Sequence, residues 1–307
     1  MRDRGFILVN ALVIVAALTA VAVFLLSRAE TGRVRLLAGT EAEQLALNLD
    51  AYEAWAVTLL ARDSDPVRDH LGEDWANAAA DLPLARGRAA GKITDVQGLF
   101  NLNWLADPEN RLARDAFDRL LTRIGVPLEA GAAIRDLLRP GGPENRDAYL
   151  RLDPPIDPVG GSLLRRDQLR GIPGLSPQAM SRLARYITAI PGDSRLNVNT
   201  APEAILAAFL PDLPAAALNR IVAERDREPF ASVEAFMTIV GLARAEDGQE
   251  DPDTAILSVD RVAIGSDWFR VDLAAQLNGR SAERETMLRR GPPPTRPEIV
   301  WRVSRRP

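Results

Sequence analysis

The sequence predicts an α+β protein in which a very long N-terminal helix packs on a small antiparallel sheet, with a large all-helical insertion between the strands. Three observations predict this arrangement. An uncharged stretch at residues 6–26 continues into apolar residues at helical spacing as far as about residue 62. Strand-like patterns occur near residues 93–100 and again after residue 256. Between these two segments, apolar residues recur three and four positions apart, which is the spacing of amphipathic helices.

The first element is predicted to be a membrane-spanning helix. Residues 6–26 carry no charge and are long enough to cross a bilayer. The five residues before them hold two arginines against one aspartate, which favours a cytoplasmic N-terminus. Two simpler interpretations are a cleaved secretory signal peptide, whose apolar region is normally shorter, and a plain signal anchor that only tethers the chain.

The helix is predicted to continue beyond the membrane to about Arg62. From residue 6 it would then be about 85 Å long, because each helical residue adds about 1.5 Å. Gly32 and Gly39 weaken it locally, by up to about 1 kcal/mol each relative to Ala. Its outer half presents one apolar stripe that the rest of the chain must cover. The stripe consists of Val34, Leu37, Leu45, Leu49, Tyr52, Ala56, Leu59 and Leu60.

The segment after the helix is polar and is expected to be irregular over residues 63–90. Trp75 is expected in a small apolar cluster, and His70 in solvent or at a helix cap. One or two strands follow within residues 91–105. Their apolar positions are Ile93, Val96, Leu99 and Phe100.

An Asn-apolar-Asn triplet occurs twice, at residues 101–103 and 197–199, and each copy is followed by a Pro, an acidic residue and a helical pattern. The asparagine side chains are expected to bond nearby backbone where a strand turns into a helix, so we interpret them as structural. Thr200 is a candidate N-cap for the second helix, with Glu203 completing a capping box. Each copy leads into a set of short helices, which predicts two related helical units.

Strands return at the C-terminal end. Asn278-Gly279 predicts a type I′ hairpin turn, because both positions accept a positive φ. Apolar and polar residues alternate before this turn and again near the C-terminus. The apolar positions are Phe269, Val271, Leu273, Ala275 and Leu277 before the turn, and Ile299, Trp301 and Val303 after it.

Composition excludes several classes of site. The formal charge of -4 and a pI of about 5.3 leave no basic field that would attract nucleic acid broadly. Cysteine is absent, and His70 is the single histidine, so disulfides, thiolate sites and multi-histidine metal sites are excluded. No G-x-S-x-G elbow or phosphate-binding loop of the G-x-x-x-x-G-K type occurs. The sequence therefore does not predict an enzyme.

One local motif favours a different function. Residues 171–175, Gly-Ile-Pro-Gly-Leu, resemble the hairpin of a helix-hairpin-helix module, in which backbone amides bind a DNA phosphate. The alternative hypothesis is therefore a membrane-anchored DNA-binding protein that resembles DNA-uptake receptors. In the second unit the equivalent turn, residues 210–214, holds two prolines without amide donors and Asp212, which would repel a phosphate. Nucleic acid is thus not expected as a partner.

The junction of the leader and the helix resembles the processing site of type IV pilins and type II secretion pseudopilins. A short basic leader ends in Gly5 and is followed at once by the aromatic Phe6 and an apolar helix. The resemblance implies that a prepilin peptidase cuts after Gly5 and that Phe6 becomes N-methylated. Asn10 stands where most members have a Glu that pairs with a neighbouring subunit, and the minor pseudopilin K is the member that lacks it.

A longer resemblance runs through most of the chain and is to the type II secretion minor pseudopilin K family, also called general secretion pathway protein K. Besides Gly5, Phe6 and Asn10, it is carried by ITDVQGLFNLN at 93–103, GGPENRDAY at 141–149 and LNVNTAP at 196–202. The chain departs from the family at 134–140, where IRDLLRP replaces an acidic, tryptophan-containing turn.

The resemblance implies a non-enzymatic role. Members cap the tip of the periplasmic pseudopilus together with minor pseudopilins I and J, and the pseudopilus helps to drive folded proteins through the outer membrane. It implies a single-pass protein of the bacterial inner membrane, with a cytoplasmic N-terminus and the bulk of the chain in the periplasm. It also implies a pilin-like head, with the two helical units of the helix-hairpin-helix or SAM-like type.

The patterns and the resemblance together divide the chain into segments. These are a leader peptide at 1–5, the transmembrane half of the helix at 6–28, its periplasmic half at 29–62, an α/β head at 63–103 and 254–307, and an inserted helical domain at 104–253 with units at about 104–190 and 197–245.

Some members of the family bind calcium in the head, so clustered carboxylates were considered as ligands. No cofactor is required for the expected role, and calcium is the ion that such hard oxygen ligands would bind. An acidic loop is also commonly just solvated, so none of its residues is assigned firmly. The candidates, in a loop predicted at 243–253, are Glu246, Asp247, Glu250, Asp251 and Asp253.

Overall fold

The fold is taken from a computed structural model that describes residues 3–77, 81–247, 257–292 and 294–305. Side chains are described from Asn10 to Ala243 and from Leu257 onward within these ranges. The helices are α1 (Asp3–Ala61), α2 (Asp74–Asn77), α3 (Arg111–Arg123), α4 (Leu128–Leu138), α5 (Asp147–Leu150), α6 (Pro177–Leu183), α7 (Glu203–Phe209), α8 (Ala215–Arg227) and α9 (Val233–Asp247). The strands are β1 (Asp81–Pro83), β2 (Arg88–Asp95), β3 (Phe100–Asn101), β4 (Ile187–Thr188), β5 (Leu196–Asn197), β6 (Val262–Ala263), β7 (Trp268–Leu277), β8 (Arg280–Arg289) and β9 (Glu298–Arg305).

The N-terminal helix α1 is one continuous element of 59 residues, which confirms the predicted long helix. Gly32 and Gly39 do not interrupt it. The apolar stripe, however, is buried only from Leu45 onward, since Val34 and Leu37 are 52% and 49% exposed. The prediction that the whole stripe packs on the head is therefore wrong for its first two residues, because the sheet begins farther along the helix.

Within the described residues, five strands form one antiparallel sheet in the order β1-β2-β7-β8-β9. The predicted hairpin is confirmed, with φ of 49° at Asn278 and 80° at Gly279 between β7 and β8. Two strands occur where one or two were expected near 93–100, but only β2, which ends at Asp95, joins this sheet, because β3 pairs with β4 instead. The prediction that residues 63–90 are irregular is also wrong in part, since α2 and β1 lie there and β2 begins within it.

The inner face of the sheet covers the outer half of α1 and forms one apolar core. Trp75 lies in α2 and packs at the edge of this core. Its ring makes an edge-to-face contact with Phe269, and the two ring centroids are 5.3 Å apart. Its main members are Leu45, Leu49, Tyr52, Ala56, Leu60, Trp75, Ile93, Phe269, Val271, Leu273 and Leu288. The α+β arrangement of long helix and antiparallel sheet is thus as the sequence predicts.

The helices between β3 and β6 form a second apolar core around Phe100, which stacks on Phe117 and Phe209. Two short parallel strand pairs, β3 with β4 and β5 with β6, close this part of the chain. The acidic segment predicted as a loop from residue 243 is helical as far as Asp247, because α9 continues its last turns into it.

Contacts between α1 and β8 fix the direction in which the head lies on the helix. Residues farther along α1 contact residues farther along β8, so the helix and this strand run in the same direction, away from the apolar N-terminal half of α1. The contacts are Glu41 with Asn278 and Arg280, Asp50 with Arg284, Glu53 with Thr286, and Asp63 with Arg290. The hairpin turn therefore lies toward the exposed apolar half of α1. The end of β2 and the start of β7, between which the insertion leaves and returns, lie at the far end of the helix.

Candidate functional sites

The predicted processing site lies in the first turns of α1. The backbone is helical from Asp3, so Gly5 and Phe6 are helical, but their side-chain surroundings lie outside the described residues. Asn10 is the first residue whose side chain is described, and it is exposed on the helix. Whether Gly5 is cut and Phe6 methylated stays a prediction.

The helix beyond Asn10 presents an exposed apolar surface. Among the described residues, one helix is long and apolar enough to cross a membrane, and that helix is α1. Thr19 satisfies its hydroxyl within the helix by donating to the Val15 carbonyl at 2.8 Å, as a polar residue in lipid must. The exposed apolar residues here are Leu12, Val13, Ile14, Val15, Leu18, Val21, Val23, Phe24, Leu25 and Leu26.

The first asparagine of each triplet is buried and anchors a strand end. The Asn101 amide donates to the Ile190 and Pro191 carbonyls at 3.0 and 2.9 Å, and its oxygen accepts from the Asn103 amide N–H at 3.1 Å. Asn197 repeats this pattern, since its oxygen accepts from the Asn199 N–H at 3.0 Å. Both side chains therefore bond backbone at a turn, which supports the structural interpretation.

The second asparagine of each triplet both donates to and accepts from the backbone of one distant residue. Asn103 donates to the Leu163 carbonyl at 2.9 Å and accepts from the Leu163 N–H at 2.7 Å. Asn199 does the same with Phe230, at 3.1 and 2.9 Å. The two triplets thus make the same kind of backbone contact in both places, which supports the structural interpretation.

Asp95, at the end of β2, is a buried carboxylate that joins the head to the second triplet. One of its oxygens accepts from Asn197 Nδ2 at 2.9 Å, from Ser266 Oγ at 2.7 Å and from the Thr200 hydroxyl. Burial raises the pKa of this carboxyl, while its hydrogen-bond donors act in the opposite direction. Thr200 is therefore not an N-cap as predicted, because its hydroxyl is used by Asp95.

The second helix of the repeat begins without a side-chain cap. α7 starts at Glu203 directly after Pro202, and no side-chain hydrogen bond caps it. Glu203 forms an ion pair with Arg123 of α3 at 2.6 Å instead of closing a capping box. The predicted capping box is thus wrong, because tertiary contacts take both of its polar side chains.

A second acidic cluster lies beside Asp95, at the end of α1, and sequence reasoning missed it. Asp63, Asp69 and Glu73 each place one oxygen within 4.8 Å of the others. Arg290, which follows β8, pairs with Asp63 at 2.6 Å and also with Asp69. No local motif marks these residues, because their partner Arg290 lies more than two hundred positions away. The high density of carboxylates after residue 62 was the one feature of the sequence that could have indicated the cluster.

Burial dominates the electrostatics of this cluster. It raises the pKa of Asp69 to about 8, against the opposing effect of Arg290. It likewise raises the pKa of Glu73 to about 7, although the Trp75 indole N–H donates to this carboxylate. Burial and the charge of Arg68 lower the pKa of His70, whose Nδ1 accepts from the Gly72 N–H at 3.1 Å. His70 is half-buried and closes a local turn before α2, so it is neither in solvent nor at a helix cap as predicted.

The acidic residues predicted as metal ligands are not tested by the structure. Glu246 and Asp247 lie in the last turn of α9, and their side chains are outside the described part. Glu250, Asp251 and Asp253 lie outside the described residues altogether.

The turn at residues 171–175 is packed rather than open. Ile172 and Leu175 are buried in the core of the insertion. Their amides already donate within the turn, Ile172 N–H to the Leu169 carbonyl and Leu175 N–H to the Ile172 carbonyl. Two amides that a phosphate would need are therefore engaged, which favours packing over DNA binding.

Comparison with known proteins assigns the chain to a family. Two family models, both described as "Type II secretion system (T2SS), protein K", match residues 98–192 and 196–260, and together they span more than half of the chain. The boundary between the two matches falls between the two asparagine-triplet units.

Relatives match over nearly the full length. Type II secretion system protein K of Aeromonas hydrophila is 28% identical over 94% of this chain and 94% of its own. The proteins of the same name from Pseudomonas aeruginosa and Pectobacterium carotovorum are 29% and 24% identical, each over 94% of this chain, and over 89% and 92% of their own lengths.

A solved structure has the same fold. It is the crystal structure of the GspK-GspI-GspJ complex from the enterotoxigenic Escherichia coli type 2 secretion system. One of its chains superposes with a TM-score of 0.68 at 18% identity, covering 89% of this chain and 100% of that chain. With the long apolar helix, the antiparallel sheet and the helical insertion in place, these matches lead to one conclusion: the chain belongs to the type II secretion system protein K family.

Proposed function

We propose that this chain is the minor pseudopilin that caps the tip of the type II secretion pseudopilus and so supports the export of folded proteins across the outer membrane. The observation that carries the proposal is the position of the insertion. It leaves the head after Asp95 and returns before Trp268, at the end of α1 opposite the exposed apolar half. A bulky domain in that place would prevent a further subunit from adding beyond it.

The partners we propose are the minor pseudopilins I and J. The support is the solved complex named above, in which a chain of this fold is crystallised with two such proteins. The periplasmic half of α1 offers a contact surface, because Val34, Leu36 and Leu37 stay exposed although they lie beyond the membrane segment.

The proposed maturation follows from the N-terminus. A prepilin peptidase would cut after Gly5 and leave Phe6 as an N-methylated first residue, with Arg2 and Arg4 of the leader on the cytoplasmic side. The bulk of the chain would then be periplasmic and anchored in the inner membrane by α1. Asn10 lacks the charge with which to pair with a neighbouring N-terminal amine, which suits a subunit at the end of a filament.

The finer architecture of the insertion is also part of the proposal. The two related sets of helices, at about 104–190 and 197–245, correspond to units of the helix-hairpin-helix or SAM-like type. We propose that they pack against each other and bind no nucleic acid, and that the chain has no enzymatic activity and needs no cofactor. Calcium is proposed only as an ion that residues 246–253 could hold.

The test is a paired experiment on the full chain in detergent. The chain should co-purify with the I and J pseudopilins of its own organism, and should restore secretion to a strain that lacks its gene. Gly5→Ala, which removes the residue before the cut, should accumulate as uncleaved protein and fail to restore secretion. Affinity for double-stranded DNA without affinity for the I and J proteins would overturn the proposal in favour of the DNA-binding alternative.

A further inference from the structure

We propose that strand β9 is a docking edge for an extended, acidic segment of another protein, which adds to the sheet as a sixth strand. β9 spans Glu298–Arg305 and lies at one edge of the five-stranded sheet. Strand addition of this kind takes its affinity from backbone hydrogen bonds and its specificity from the side chains beside them. The surface is separate from the exposed residues of α1 that were proposed above as a contact surface.

The backbone edge of β9 that faces away from β8 is open. Among the described residues, β9 pairs with β8 alone, and residues 298–305 make no other backbone hydrogen bond. A strand of eight residues therefore offers a row of unpaired N–H and C=O groups to a further strand. The opposite edge is different, because β1 has only three residues, one of them Pro83, and an ion pair joins its Asp81 to Arg88. Short, charged edges of that kind resist strand addition.

β9 also extends beyond the helix that covers the rest of the sheet. Leu288 of β8 is fully buried in the core under α1, but Ile299, its partner across the strand pair, is 38% exposed on the same face. Val300, which forms a bulge beside Ile299, is 46% exposed. No residue of β9 is buried, whereas β7 alternates buried and partly buried residues along most of its length. A sixth strand would cover these apolar side chains.

A groove between α1 and the end of β9 continues this surface. Its volume is about 230 Å³. Its floor is apolar, since Leu45 and Leu49 are almost completely buried, and the small side chains of Ala42 and Ala46 line its helical wall. Alternate residues of a strand point to the same face, so side chains of an added strand that point toward α1 would enter this groove.

The charges along the edge favour an acidic partner. Three arginines on β9 or at the rim of the groove each pair with a carboxylate, but about half of each arginine side chain is exposed, whereas its carboxylate is mostly covered. The surface presented to solvent is therefore positive, which complements an acidic strand. The only carboxylate within β9 is Glu298, at its start, so the positive surface belongs to the second half of the strand. The pairs are Arg280 (50% exposed) with Glu41 (23%), Arg302 (47%) with Glu53 (6%) and Arg305 (49%) with Asp167 (20%).

A strand fused to the chain tests the edge without knowledge of the natural partner. The segment Thr-Val-Glu-Val-Glu-Val-Glu-Thr is joined to Pro307 through a short Gly/Asn linker, which gives it a high effective concentration at β9. In the full chain in detergent, the fused strand should raise Tm. It should also slow hydrogen exchange of the outward-facing amides of residues 298–305 about tenfold, as expected if it occupies the edge for about nine-tenths of the time.

Two matched strands are the controls. Lys in place of the three Glu should abolish the protection, because cations would then face the arginines. Pro in place of two of the Val keeps the acidic charge but removes backbone donors, so it should also give no protection. The proposal is overturned if the acidic strand protects no amide of β9, or if either the Lys strand or the Pro strand protects β9 equally well.

A substitution at the edge then tests whether the natural partner uses it, and this experiment rests on the proposed role in secretion. Val300→Glu places a negative charge where the acidic segment docks. The variant should lose most secretion of a reporter substrate while it keeps the wild-type Tm and still co-purifies with the I and J pseudopilins. Val159→Glu is the control, since Val159 is 78% exposed in the insertion, and it should secrete normally.

Normal secretion by Val300→Glu would overturn the proposal, even if the fused strand binds. If Val300→Glu lowers Tm, the fused strands decide in its place, because the acidic strand should occupy the edge and block secretion while the Pro strand should not. Failure of the wild-type chain to co-purify with the I and J pseudopilins would instead overturn the proposed function, and it would leave the fused-strand result unaffected.

Discussion

At the scale of single residues, buried polar side chains hold together segments that are far apart in the sequence. Asn197 is the best example, since its amide bonds Asp69, Asp95 and Ser266, which come from three different parts of the chain. Each of these bonds involves a group that is shielded from water, so the loss of the amide would remove a donor from several buried acceptors. Position 197 requires a side chain with N–H donors and an oxygen acceptor on the same group, which the asparagine amide supplies.

Asn197→Ala should destabilise the chain by about 3 kcal/mol or more, because it removes one donor from three buried acceptors at once, the Asp95 carboxylate among them. The measurement is the midpoint of denaturant unfolding of the full chain in detergent. Asn145→Ala is the control, since Asn145 is exposed and accepts from the nearby Asp147 N–H; it should change stability by less than about 1 kcal/mol. Equal effects of the two variants would contradict the structural role.

A second residue-scale prediction concerns Asn10. Asn10→Glu should be tolerated with little loss of secretion, because a subunit at the tip of the filament has no neighbour above it that the new carboxylate must avoid or bind. The measurement is secretion of a reporter substrate from a strain in which the variant replaces the wild type. A complete block of secretion would count against the position at the tip.

Side-chain roles were predictable from the sequence only where the partner is local. The asparagine triplets were interpreted as structural because Asn bonds neighbouring backbone at turns, and the bond from the Asn103 N–H to the Asn101 oxygen supports this. Thr200 could not be predicted, since its position favours an N-cap while Asp95, 105 residues earlier, takes its hydroxyl. Asp63 and Asp69 were missed for the same reason, because their partner Arg290 is close only in the folded chain.

At the scale of elements, α1 is a single helix with two different surfaces. Its N-terminal half is apolar on all sides and exposed, whereas beyond Leu45 one face is covered by the sheet. The change occurs without a break in the helix, so the apolar half and the covered half belong to one continuous element. The covered face supplies most of the contact between the helix and the rest of the head.

Two leucines on α1 allow a matched test of this asymmetry. Leu49→Ala should destabilise the head by about 3 kcal/mol, because Leu49 is 2% exposed and its removal leaves a cavity against the sheet. Leu47→Ala should change stability by less than about 0.5 kcal/mol, since Leu47 is 60% exposed. Thermal unfolding in detergent measures both. A larger loss for Leu47 than for Leu49 would mean that the sheet covers another face.

Long elements were predicted better than short ones, because periodicity needs length. The strands β7 and β8 were found from alternation and the Asn278-Gly279 turn. The two-residue strands β3 to β6 and the three-residue β1 carry too few residues to show a pattern. The C-terminal end of α9 was predicted wrongly, because the acidic residues from 243 onward indicated a loop, whereas the helix continues to Asp247.

At the scale of the whole molecule, two separate apolar cores are joined by a polar junction. The core under α1 and the core around Phe100 share no member, and a small cluster of Val96, Leu99, Ile190 and Met287 lies between them. Further contact is supplied by Asp95, Asn197 and Arg290 with their partners, and by the ion pairs of Arg166 with Glu285 and of Arg305 with Asp167. Coupling between the head and the insertion therefore depends on buried polar contacts more than on a continuous core.

Arg290 is the residue on which this coupling should depend most. Its guanidinium contacts Asp63, Asp69 and the Ser266 carbonyl at the point where the chain returns from the insertion. Arg290→Gln should therefore cost about 3–5 kcal/mol, because it leaves buried carboxylates unpaired, and hydrogen exchange should speed up together in residues 63–77 and 262–268. The neighbouring Arg289→Gln is the control, since Arg289 is exposed and lies 3.8 Å from Glu298, and it should cost at most about 1 kcal/mol. If Arg290→Gln loosened only residues 63–77 and left 262–268 protected, the insertion would be held by the small apolar cluster instead.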